Sequence, residues 1–143
     1  MEKIQEQFFD IGANLTHPSF EKDMTDVLSD AKEVGVKRMS ITGSDIDESI
    51  KAAELAKNNP NFMVSTTGIH PHNAKEYSPS SFTEIIDLLK FDEVKCLGET
   101  GLDFYRNFST PEQQQVSFEA HIEAAIDNKE AEKEAAEGRG AAA

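Results

Sequence analysis

Apolar residues recur along this chain with two alternating periods. Short runs come first: Gln7 to Gly12, interrupted only by Asp10, then Val36 to Thr42, Phe62 to Ile69 and Glu93 to Gly98. Each is the length of a strand and is bounded by turn-forming residues. Between them the spacing switches to steps of three and four. Phe20, Met24, Val27, Leu28, Ala31 and Val34 mark an amphipathic helix over Ser19–Val34, closed by Gly35 where helices commonly end. Ser44 or Asp45 caps a second helix running to about Asn58, with Ile46, Ile50, Ala53 and Leu55 among its apolar positions. Asn58-Asn59-Pro60-Asn61 breaks it. A third helix starts at Ser78-Pro79-Ser80-Ser81 and carries Phe82, Ile85, Ile86 and Leu89. A fourth starts at Thr110-Pro111 and carries Val116, Phe118, Ile122, Ala125 and Ile126.

Four strand–helix units in succession predict an α/β fold with parallel pairing and right-handed crossovers. Two architectures satisfy that pattern: an open doubly wound sheet, or the amino-terminal half of a (β/α)8 barrel. Sheet order 1-2-3-4 is expected for the half-barrel, and order 2-1-3-4 would mark the doubly wound alternative. No G-x-G-x-x-G follows the first strand, which lowers the dinucleotide-binding reading. The expected division is a barrel-type domain over residues 1–128 and a tail over 129–143. That tail, rich in Glu, Lys and Ala without an apolar face, is expected to extend the fourth helix or to fray.

Composition narrows the picture. The chain has 143 residues, enough for one compact domain, with 38% hydrophobic and 29% charged residues, so its core must be well patterned. The net charge of -13 argues against a sequence-independent clamp on nucleic acid, which needs clustered Lys and Arg. It leaves room for an enzyme that holds phosphate through a metal ion. The single cysteine, Cys96, allows no internal disulfide and is expected as a small core residue. With no apolar leader after Met1 and no long apolar span, a soluble cytoplasmic protein without a membrane partner is expected.

The candidate chemistry collects at three strand ends. In parallel α/β folds the carboxyl edge of the sheet is where ligands bind. Strand one brings Asp10 and Asn14 there, strand three brings His70 and His72, and strand four brings Glu99, Asp103 and Arg106. Gly98 and Gly101 flank Glu99 and allow a tight turn to present it. Pro71 favours an extended segment that would put both histidines on one side. Asp103 either orients its neighbours or caps the loop. His17 is expected on the surface and His121 as an ordinary helix residue. Carboxylate and imidazole groups with an arginine able to grip phosphate form the outline of a metal-assisted hydrolase site.

Three segments carry a resemblance: Phe9-Asp10-Ile11-Gly12-Ala13-Asn14-Leu15-Thr16, Gly68-Ile69-His70-Pro71-His72, and Gly98 to Asn107 with Ser109-Thr110-Pro111-Glu112-Gln113-Gln114. From about Phe8 to Asn128 the chain resembles the amino-terminal half of the TatD-type deoxyribonucleases, metal-dependent hydrolases with a TIM-type (β/α)8 barrel. The resemblance implies that Glu99 is a metal ligand. It implies that Asn14, His70, His72, Asp103 and Arg106 line the substrate and phosphate pocket, with Asp10 as an auxiliary group. A divalent ion is implied as cofactor, Mg2+ before Mn2+ or Zn2+, and DNA as substrate. Gly12 and Asn14 stand where many members carry a metal-binding His-x-His pair, which tells against the usual two-metal site. The family's other ligands lie on later strands, and this chain ends before them. Two expectations follow: a truncated, weakly active or inactive nuclease, or a non-catalytic half-barrel that self-associates through its sheet edges or acts as a binding module.

Overall fold

A computed structural model describes the backbone of residues 6–140 and the side chains of residues 6–129. Four strands, β1 (Phe8–Ala13), β2 (Val36–Ile41), β3 (Met63–Thr67) and β4 (Val94–Leu97), form one sheet in the order β1-β2-β3-β4. Every neighbouring pair is parallel. The order is the half-barrel one, and the doubly wound alternative falls away. Each crossover carries a helix: α1 (Met24–Glu33), α2 (Ile46–Asn58) and α3 (Pro79–Asp87), with α4 (Pro111–Gly140) after the last strand. Residues 129–140 continue α4, while 141–143 lie outside the described residues.

Local chemistry accounts for the helix starts. The Asp45 carboxylate accepts the Glu48 N–H at 2.8 Å and caps α2. Ser78 and Ser81 cap α3 reciprocally, each side chain taking the other's backbone N–H, with Pro79 fitted into the first turn. Helix one starts later than expected. Pro18–Phe20 forms a short 3-10 turn instead, in which the His17 ring accepts the Ser19 N–H.

The core lies between the helices and the sheet. Leu15, Leu28, Met39, Ile41, Ala52, Ala56, Phe62 and Met63 form one buried cluster, and Ile69, Phe82 and Ile85 a second. In α2 the buried face is Ser49, Ala52, Ala53 and Ala56, so small residues let this helix approach the sheet while Ile50 stays partly exposed.

Three expectations about burial need correction. The apolar run of strand one implies burial, yet Phe8 through Gly12 are exposed, Ile11 to 80%, in a strand at the edge of the sheet. Cys96 is exposed rather than core, since β4 forms the opposite edge. In α4 the apolar positions Val116, Ile122 and Ile126 face outward, while Gln114, Ser117 and His121 turn inward. Gln114 and His121 offset the cost of burying polar groups with hydrogen bonds that build the site below, while the buried Ser117 hydroxyl has no partner among the described residues.

Candidate functional site

The ends of β2, β3 and β4 are laced together by main-chain hydrogen bonds. Gly43, just after β2, accepts the Glu99 N–H at 2.8 Å, and the next carbonyl, Ser44, accepts the His70 N–H at 2.8 Å. Adjacent acceptors on one strand end thus set Glu99 and His70 side by side. The loops can meet this closely because of glycine. A Cβ on Gly68 would lie 2.6 Å from the Gly98 carbonyl carbon. Gly98 and Gly101 both adopt left-handed φ, +157° and +148°, in the turn that displays Glu99.

The His70 ring is held through Nδ1, with Nε2 beside a carboxylate. Its Nδ1 accepts the His72 N–H at 3.1 Å, so in the neutral ring the proton sits on Nε2, which faces Glu99 Oε1 at 3.3 Å. Burial lowers the His70 pKa from its ordinary value, and the neighbouring Glu99 carboxylate opposes that only in part. At neutral pH His70 is therefore a neutral hydrogen-bond donor. The expected extended His-Pro-His segment is not what forms. His70 caps a 3-10 helix, Pro71–Glu76, and Pro71 occupies its first turn. The two rings still meet edge to face, 4.3 Å apart.

Asp103 is the hub of the last loop. Its Oδ1 accepts the Tyr105 and Arg106 N–H groups, at 3.2 and 3.0 Å. Its Oδ2 takes His72 Nε2 at 2.7 Å and Arg106 Nη1 at 3.2 Å. These bonds, the Arg106 N–H first and the His72 ring next, hold its carboxyl well below the usual carboxylate range. Both roles foreseen for Asp103, orienting neighbours and closing the loop, are filled by one carboxylate.

Two residues of α4 support this arrangement, and neither was singled out as functional from sequence. Gln114, 1% exposed, accepts the Asp103 N–H at 2.6 Å and donates to the carbonyls of Asp103 and Ser109 at 3.2 and 2.9 Å. His121, 2% exposed, accepts the Ile69 N–H through Nε2 at 3.0 Å and reaches the Ser117 carbonyl through Nδ1 at 2.7 Å. It therefore pins the residue before His70. The available signal was their position two turns apart on a helix whose apolar stripe lies elsewhere. The Ser109 hydroxyl adds a strut, donating to the His72 carbonyl at 2.9 Å.

Two cavities open on this edge. One, of about 340 Å³, is lined by Gly12, Asn14, Thr42, Ser44, His70 and Glu99 among others, so Asn14 does reach the site. Asp10 turns back on its own strand, its Oδ1 accepting the Gly12 N–H at 3.0 Å. The second, of about 630 Å³, runs from His70 and Glu99 along the loop to Arg106.

A divalent ion would find one ready ligand here. Glu99 offers a half-exposed carboxylate at the junction of the two cavities. His70 presents N–H rather than a lone pair, and both Asp103 oxygens are engaged. Among the described residues, no three His, Cys, Asp or Glu side chains are grouped so as to hold a metal. The donor set fits a single point of attachment and not a closed cage. Also among the described residues, no helix is long and apolar enough to cross a membrane.

Comparison with known proteins places these features in context. The family model described as TatD related DNase matches residues 9–131. The 3'-5' ssDNA/RNA exonuclease TatD of Salmonella typhimurium is 47% identical over 119 residues, covering 83% of this chain and 45% of that protein. Its counterpart from Yersinia pseudotuberculosis is 49% identical over 114 residues, covering 80% and 44%. The chain thus spans less than half the length of the curated relatives it matches. Among solved structures, an uncharacterized amidohydrolase from Saccharomyces cerevisiae superimposes with a TM-score of 0.75 at 27% identity, over 83% of this chain and 44% of that one. A TatD homolog from Escherichia coli gives 0.74 at 23% identity, over 82% and 46%, and so speaks to the fold alone.

Proposed function

The chain belongs to the TatD-related DNase family, and we propose that it carries the Glu99-centred part of a metal-dependent nuclease site that hydrolyses phosphodiester bonds in DNA. Nucleases of this family are metal-dependent. The observation that carries the reading is the pairing of Glu99 with His70 at 3.3 Å on the carboxyl edge of a parallel sheet. A carboxylate ligand and an imidazole N–H donor there stand close enough together to act on one phosphate group. The curated relatives are named as exonucleases of single-stranded DNA and RNA, which favours a single strand as substrate.

The roles follow from the geometry. Glu99 is the metal ligand, with Mg2+ the first candidate and Mn2+ or Zn2+ next. When bound, such an ion supplies an activated water and neutralises charge on a phosphoryl oxygen. His70 donates Nε2–H toward a phosphate oxygen or a water. Arg106 spends one N–H group on Asp103 and keeps others for a phosphate oxygen. Asp103 fixes His72 and the Arg106 loop in register. Asn14 contributes a polar wall. This reading places the protein in the cytoplasm, where nucleic acid and free Mg2+ are at hand.

A second reading is favoured by one observation: the donor set around Glu99 is incomplete among the described residues. On that reading the chain is a non-catalytic half-barrel that binds or self-associates. End-labelled single-stranded DNA incubated with the purified chain and Mg2+ or Mn2+ separates the two. The nuclease reading expects slow, chelator-sensitive shortening of the strand. An intact strand at high protein and metal concentration would reject it in favour of the second.

A further inference from the structure

The loop after Glu99 carries more than a phosphate contact. Leu102, Phe104 and Tyr105 line the 630 Å³ cavity together with His70, Glu99 and Arg106. Tyr105 is 94% exposed and Phe104 54%. They do not hang on a loose segment. Asp103 Oδ1 holds the Tyr105 and Arg106 N–H groups, Gln114 grips the Asp103 peptide from α4, and Asn107 Nδ2 donates to the Phe104 carbonyl at 2.7 Å. The main chain that carries two exposed aromatic rings is thus fixed at the mouth of the site, and the rings are not folded into the core.

Charge decides what such rings can do. With a net charge of -13 the chain repels a polyanion, and among the described residues Arg106 is the one Lys or Arg lining this cavity. One phosphate contact would give a salt slope of only about -0.7 for a single strand. Affinity has to come from a contact indifferent to charge, and stacking of a base on an aromatic face is one, open to every base. A cavity of this volume is in the size range of small-ligand sites. Bases inside a duplex have their faces already covered.

We propose that Phe104 and Tyr105 form a stacking platform that seats an unpaired nucleobase of the strand beside the His70–Glu99 pair. The proposal rests on the nuclease reading of the same site and names what that site grips.

The chain offers its own probe, having two tyrosines and no tryptophan. Tyr77 packs on Phe82 with ring centroids 5.6 Å apart and is partly buried, whereas Tyr105 is 94% exposed. Short oligothymidylate is titrated into the full chain without divalent metal, and tyrosine emission is followed after correction for base absorbance. The expected result is loss of one of the two tyrosine emissions, with a shallow salt dependence. An abasic strand of equal length and a blunt duplex should leave the emission unchanged. Tyr105→Phe should silence the signal yet keep affinity by anisotropy, while Tyr105→Ala, fully outside the core, should weaken binding about tenfold. No quenching, equal quenching by the abasic strand, or quenching that persists in Tyr105→Phe would overturn the proposal. Strand cleavage is scored separately. Cleavage without base-dependent quenching rejects the platform alone, and base-dependent quenching without cleavage upholds the platform and rejects the nuclease reading.

Discussion

Replacing His121 by Phe isolates the bond that seats the site on α4. Phenylalanine keeps an aromatic ring against Phe82, whose centroid lies 4.7 Å from that of His121, but it has no acceptor for the Ile69 N–H. An N–H left buried and unpaired costs about 1–3 kcal/mol. The Ser117 carbonyl loses an extra partner as well, though it lies within a helix and keeps its ladder position, a smaller loss. The sum is a destabilisation of about 2–3 kcal/mol at neutral pH. The pH dependence sharpens the test. Burial lowers the His121 pKa below its ordinary value, and the bond to the Ser117 carbonyl offsets that only partly. The unfolded chain therefore takes up a proton first, near pH 6.5, so the stability tied to neutral His121 is complete above that value and is lost as pH falls toward the depressed folded value. Urea unfolding at pH 7.5 should show the full difference between wild type and His121→Phe. The gap should narrow as pH is lowered through 6.5, because only the wild type carries this titration. A difference below about 0.5 kcal/mol at pH 7.5, or a gap that widens in acid, would refute the reasoning.

Gln114→Ala removes three hydrogen bonds to the Asp103 and Ser109 peptides and should raise amide exchange across Asp103 to Arg106 at least tenfold, with little change in α2; unchanged protection there would contradict the role given to it. Gly68→Ala places a methyl group against the Gly98 backbone and should cost about 1–3 kcal/mol, read by thermal unfolding, whereas a neutral result would mean the strand ends are not held in contact. The open edges of β1 and β4, with Phe9 and Ile11 exposed, should make the isolated chain associate with itself at micromolar concentration; a monodisperse monomer in light scattering with a cooperative thermal transition would count against that.

Much of the fold was legible from spacing because strands and helices alternate and their caps are local. Asp45, Ser78 and Pro79 sit where their side chains make helix starts, and the structure puts them there. Burial was harder to read. The period that marks Val116, Ile122 and Ile126 as a stripe is real, but the face packed inward is the polar one, since Gln114 and His121 find main-chain partners far away in sequence. Edge positions misled in the same way: Ile11 and Cys96 lie in apolar runs, yet a run says nothing about which strand will be outermost. For the site, the approach of His70 and Glu99 to the same strand ends followed from parallel order. Their contact did not, because it depends on the neighbouring carbonyls of Gly43 and Ser44, which carry no side-chain signature. The bond between His72 and Asp103 spans 31 residues and likewise leaves no local trace.

The central claim is that Glu99 is where a divalent ion meets this chain. Titrating Mn2+ and counting the free ion by electron paramagnetic resonance tests it without reliance on turnover. The account predicts one weak site in the wild-type chain, in keeping with a single carboxylate and several retained waters. That site should disappear in Glu99→Gln, which keeps the shape and removes the charge, and survive in Asp10→Asn, whose carboxylate is turned onto Gly12. Binding of equal strength in wild type and Glu99→Gln would contradict the account and place the metal elsewhere.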